Sequence, residues 1–175
     1  WHTVIATSTK NGDERALWAW PDPSTILVQA GTPGMLTDLL TGLATVVATG
    51  QRNTQFPDGA RVRISGLLNP AKSKWILDDQ RARVRRVRQA VPERDWPAWV
   101  SARLAGAVED LEVACQPLPT IHAHKPGHTI TAVRMAFSGT ATVADPIAFD
   151  RLIRAGVGPQ KAYGCGLILA SEAQE

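Results

Sequence analysis

Cysteine is nearly absent from this chain. Cys115 and Cys165 are the only two in 175 residues, too few for a disulfide framework and outside the paired spacing of a structural zinc site. Four histidines without companion cysteines at ligand spacing argue against a metal centre, so no metal and no cofactor is expected. Apolar runs are short, and none approaches the eighteen or so residues that cross a bilayer. The dinucleotide fingerprint and the Walker A loop are also missing. These absences exclude a secreted disulfide scaffold, a membrane-spanning helix and the common nucleotide-binding folds. A reducing cytoplasm is the expected compartment.

Hydrophobic residues make up 44% of the chain, ample for a packed core of one domain or two small ones. The net charge of +3 conceals an asymmetry. Residues 61–94 hold ten of the 19 lysines and arginines against Asp78, Asp79 and Glu93, which leaves that segment at +7 and the remainder at −4. A concentrated basic block on an otherwise acidic body points to a polyanion partner. Lys72 and Lys74 precede Arg81, Arg83, Arg85, Arg86 and Arg88. In a regular strand Arg81, Arg83 and Arg85 share one face, with Arg86 and Arg88 on the other. Each guanidinium can grip a phosphate with two parallel hydrogen bonds.

Periodicity gives the element order. Strands are predicted at Arg15 to Trp20 and Thr25 to Ala30 after a helix remnant over residues 1–8, and a helical or irregular core segment at Met35 to Val47. A strand at Arg61 to Leu68 and a helix from Asp95, with Trp96, Trp99, Val100, Leu104 and Val108 as its apolar face, follow. Further strands are predicted at Leu111 to Cys115, His128 to Phe137 and Thr140 to Val143, the last two as a bent hairpin around Ser138-Gly139. The last helix has Asp145 as cap, Pro146 at its start, Gly156 at its end and Ile147, Phe149, Leu152 and Ile153 as its buried face. A strand at Leu167 to Ala170 closes the chain. From residue 61 this order is β-α-β-β-α-β, the ferredoxin-like arrangement, with residues 59–175 as one domain and 1–58 as a second copy lacking its first strand. That missing central strand, and a first residue that is Trp1, lead us to expect further residues before it.

Between the last helix and the last strand runs Gly156-Val157-Gly158-Pro159-Gln160-Lys161-Ala162-Tyr163-Gly164-Cys165-Gly166. Gly156, Gly158, Gly164 and Gly166 allow positive φ and close approach to backbone N–H groups, and Lys161 adds a point charge, a composition suited to cradling phosphate. This spacing resembles the glycine loop of the CasE family, the repeat-processing endoribonucleases of type I-E CRISPR systems. Arg61 to Lys72, closing in Asn69-Pro70-Ala71-Lys72, and Val143-Ala144-Asp145-Pro146 are similar to two further family blocks. The resemblance implies an α+β protein of tandem ferredoxin-like domains that cleaves a repeat hairpin at its 3′ base without a metal. It further implies that the protein keeps hold of the product and joins other subunits of the type I-E surveillance complex (Cascade).

By the same resemblance His2 is the catalytic histidine of the first helix. Histidine titrates near neutrality, so it can take the proton of the attacking 2′-OH or deliver one to the leaving 5′-oxygen. Lys125 and His128, in a loop with His122 and His124, are expected to stabilise the scissile phosphate. The basic segment 72–88 and the glycine loop are expected to hold the RNA. An A-form stem hides its major groove, so recognition falls on phosphates, 2′-OH groups and the junction with single strand. Trp75, among lysines, is the exposed tryptophan suited to base stacking, whereas Trp18, Trp20 and Trp99 fit apolar core faces. A non-catalytic hairpin-capping module of the same fold is the alternative. An ordinary RNA-recognition motif lacks support, since no strand carries its aromatic signature.

Overall fold

The computed structural model describes residues 16–30, 42–80, 83–125 and 128–173. His2, the predicted first helix, Arg81 and positions 35–41 of the predicted core segment lie outside these.

The described residues begin with a hairpin of β1 (Leu17–Asp22) and β2 (Thr25–Gln29). Next come β3 (Arg61–Leu68), a two-stranded ribbon of β4 (Ala71–Leu77) and β5 (Arg83–Ala90), and α1 (Trp96–Leu104). The chain then runs through β6 (Val108–Lys125), β7 (His128–Val143), α2 (Pro146–Ala155) and β8 (Ile168–Glu172). The main sheet has the order β6-β7-β3-β8, every pair antiparallel. With β4 and β5 set aside as an insertion, this is the ferredoxin-like order predicted from residue 61.

Alternation explains the sheet. In β3, Val62 and Ile64 point into the core while Arg61 and Arg63 point out. The core packs Val62, Ile64, Met135 and Phe137 of the sheet against Trp96, Trp99 and Val100 of α1 and Phe149 and Ile153 of α2. The indole N–H groups of Trp96 and Trp99 are satisfied, Trp96 Nε1 by the Val91 carbonyl at 2.9 Å and Trp99 Nε1 by that of Ala71 at 3.3 Å. Asp145 caps α2 as predicted, accepting from the N–H groups of Ile147 and Ala148 at 2.9 Å each. Gly156 ends the helix at φ +72°.

Several expectations need correction. Ser138-Gly139 is no turn: β7 is continuous from His128 to Val143, and its hairpin partner is β6, joined at the Lys125/His128 end. Gly139 is instead required by close strand approach, since a Cβ there would stand 2.0 Å from the Glu112 carbonyl oxygen. The nearby shift of register holds Asp110 at φ +48°. The segment predicted as a loop around His122 to His128 is the end of the β6–β7 hairpin. The strand predicted at Leu111 to Cys115 runs over Val108–Lys125, through Pro117 and Pro119, whose missing N–H groups an edge strand tolerates. Val108 begins β6 rather than extending α1. Ile147 is 66% exposed, because the buried stripe of α2 runs through Phe149 and Ile153. Residues 42–50 form neither helix nor strand, and Leu43, Val46 and Val47 are exposed, not core.

Candidate nucleic-acid interface

The β4–β5 ribbon carries Lys72, Lys74, Arg83, Arg85, Arg86 and Arg88 and no carboxylate in either strand. Its register pairs Lys72 with Gln89, Lys74 with Val87 and Ile76 with Arg85, which sets Lys72, Lys74 and Arg85 on one face. Ser73 pairs with Arg88 and Trp75 with Arg86 on the other. Between Ile76 and Leu77 the register slips, so Leu77 meets Arg83 and Val84 is the extra residue. The slip moves Arg83 across the ribbon. Contrary to simple alternation, Arg83 and Arg85 do not share a face: Arg83 lies over Trp75, its Cζ 5.6 Å from the ring centroid. Trp75 is 42% exposed, as predicted for a stacking surface, while Trp18 and Trp99 are buried.

The glycine loop is held by its own backbone. Val157 N donates to the Gly166 carbonyl at 2.8 Å, Gly166 N to that of Leu67 at 2.6 Å, and Tyr163 N and Cys165 N to that of Gln160. Gly156, Gly158, Gly164 and Gly166 all have positive φ, and each is also pressed by a neighbour. A Cβ would stand 2.8 Å from Leu17 at Gly156, 3.1 Å from Trp99 at Gly158, 2.9 Å from Trp18 at Gly164 and 2.9 Å from the Lys161 stem at Gly166. Positive φ and close approach by Leu17, Trp99, Trp18 and the Lys161 stem therefore already require glycine at these four positions. Lys161 Nζ donates to the Ala155 carbonyl at 2.6 Å, where a cation suits the helix C-terminus.

Lys125 and His128 are brought to directly opposed positions at the end of the β6–β7 hairpin. His122 is exposed nearby, its Nδ1 3.4 Å from Thr131 Oγ1. Three polar residues were missed by sequence reasoning. Buried Asn69 donates from Nδ2 to the Val133 carbonyl at 2.6 Å and so pins the start of the ribbon. Arg52 donates to Gln29 Oε1 and to the Ile168 carbonyl, tying β2 to β8; burial pulls its guanidinium down to about 10, so it remains a cation at neutral pH. Arg134 is buried on β7, an intrusion into an apolar strand that the sequence displayed and that could have been read as a signal.

A family model described as "CRISPR associated protein" matches residues 1–171. The chain is 31% identical over 137 residues to the CRISPR system Cascade subunit CasE of Escherichia coli K12, a match covering 73% of this chain and 66% of that relative. Its structure is similar to that of the CRISPR-associated protein Cas6e from Escherichia coli K-12, with a TM-score of 0.73 at 21% identity over 98% of this chain and 90% of the other. It is also similar to Thermus thermophilus Cse3 bound to an RNA representing a pre-cleavage complex, with a TM-score of 0.70 at 26% identity over 97% and 86%. Tandem ferredoxin-like domains are the architecture of these neighbours. With a family model spanning nearly the whole sequence and a fold shared with Cas6e and Cse3, the chain belongs to the CRISPR-associated protein family that includes CasE.

Proposed function

We propose that this chain is an endoribonuclease that cuts CRISPR repeat RNA at the 3′ base of its hairpin and stays on the product as a subunit of the type I-E surveillance complex, in the cytoplasm. The observation that carries the reading is the ribbon, six cations on two strands without a carboxylate, projecting from a fold shared with an RNA-bound Cse3. Cations gathered on so small a ribbon repel one another, and a polyanion laid along it offsets that repulsion. Residues 59–175 form the unit that carries the ribbon, and 1–58 form the second domain, with Arg52 and the β1–β2 hairpin at their junction.

In this reading the 2′-OH attacks the adjacent phosphorus as a base removes its proton. The bond to the 5′-oxygen then breaks as an acid protonates that oxygen. A 2′,3′-cyclic phosphate and a 5′-hydroxyl result. His2 performs one of the proton transfers, worth ~10²–10⁴-fold. Lys125 and His128 offset the charge of the phosphorane, which removes the need for a metal. The ribbon and Lys161 with its glycine loop hold the RNA. The test is cleavage of a labelled repeat hairpin in excess EDTA by the protein with its natural N-terminus and by its His2→Ala variant. Single-site cutting that the variant loses is the expected result. Tight binding without cutting by either protein points to the hairpin-capping module, and neither binding nor cutting overturns both readings.

A further inference from the structure

Along β7 the alternation Ala132-Val133-Arg134-Met135-Ala136-Phe137 sends Met135 and Phe137 to the core beneath the helices and Arg134 to the opposite face of the sheet. There Arg134 is only 8% exposed, enclosed but still open to solvent. Its Nε–H donates to the Pro119 carbonyl at 3.1 Å, at the point where the register of β6 slips between Leu118 and Ile121. Among the described residues no carboxylate pairs with it. Gly166 of the glycine loop donates its N–H to the Leu67 carbonyl at 2.6 Å, and Leu67 pairs with Ala136, two residues along β7 from Arg134.

A stranded carbonyl needs one donor, and a neutral amide would supply it. A guanidinium brings five N–H groups and a full charge, and burying that charge without an opposite partner is costly. The Pro119 carbonyl fixes Nε and leaves the two Nη groups, which are not enclosed, free to take an anion. An anion bound at this face balances the charge, and beside the glycine loop of an RNA-binding protein that anion is a backbone phosphate. We propose that Arg134 is a phosphate ligand for the bound RNA, holding the strand against the glycine loop from the sheet side. The proposal rests on the RNA reading above and adds a contact to it.

The test compares the full-length parent with Arg134→Gln and Arg134→Lys, measuring affinity for a labelled repeat hairpin across a salt series and thermal melting of each protein. Glutamine places an amide nitrogen where arginine has Nε, so it keeps the bond to Pro119 and removes the charge. The expected result is a glutamine variant that melts at or above the parent temperature yet binds the hairpin roughly 10- to 100-fold more weakly. The slope of log affinity on log salt should shrink by about 0.7–0.9, the loss of one phosphate contact. The lysine variant should keep most of the parent slope. A glutamine variant with parental affinity and slope overturns the proposal, as does weaker binding in either variant that merely tracks a lost folded fraction. If inorganic phosphate protects the parent from melting while hairpin binding ignores the substitution, the site holds a free anion and the RNA assignment falls. Failure of the parent to bind the hairpin at all overturns the RNA reading and this one together.

Discussion

Gly164 sits at φ +74° beneath the ring of Trp18, and a methyl group there would face both a left-handed backbone and an aromatic carbon 2.9 Å away. Gly164→Ala should destabilise the protein by roughly 2–4 kcal/mol, read as a lower denaturant midpoint with unchanged slope. Gly50 has no positive φ and nothing within 4 Å of a Cβ, so Gly50→Ala should be neutral or stabilise by about 0.5 kcal/mol. Next to Gly164, burial pushes the Cys165 thiol up to about 11, with the Arg134 charge pulling the other way. In the unfolded chain the thiol loses its proton near its ordinary value of 9.0. Its contribution to stability is therefore complete below about pH 9 and is lost as pH rises toward about 11. Urea melts over that range should show a decline that Cys165→Ala makes shallower. The glycine loop was legible as a string of special conformations; what approaches its backbone was not. Positive φ and close approach look the same in sequence whether the neighbour is a phosphate or a tryptophan.

Among the elements, the ribbon was legible as a dense run of arginine and its faces were not. One extra residue at Val84 sends Arg83 to Trp75 and leaves Arg85 with the lysines, a shift that depends on how the two strands pair. Both faces therefore carry charge, and one carries an exposed ring. Replacing Arg83, Arg85 and Arg88 by alanine should weaken hairpin binding and lower the salt slope by up to about three units, a little less than one per lost phosphate contact, in a titration from low to high salt. An unchanged slope would remove the ribbon from the interface. The strand predicted at Leu111 to Cys115 is likewise longer in the structure, reaching Lys125 as β6. Pro117 and Pro119 fit within it because, among the described residues, β6 has a side without a neighbouring strand.

The β1–β2 hairpin meets the larger unit through Leu17 and Ala19 packed on Leu67 and Leu167, and through Gln29 and Arg52. Arg52 contacts β2 and β8 at once, and Gln29 Nε2 reaches the Ile153 carbonyl at 3.3 Å. Arg52→Ala should speed amide exchange across residues 17–29 by roughly 10- to 100-fold while β3 and β7 keep their protection. Equal loss in all strands would show instead that the arginine supports one cooperative unit. The sequence by itself determined the β-α-β-β-α-β order around the inserted ribbon, the caps of α2 and the location of the basic block. These follow from local propensity and from hydrophobic period, which neighbours in the chain decide. Only the tertiary structure decided which side of the ribbon each arginine takes, what the glycines yield to, and that Arg134 is buried without a described carboxylate. Those outcomes depend on register and on contacts between residues far apart in the chain, where sequence spacing holds no information.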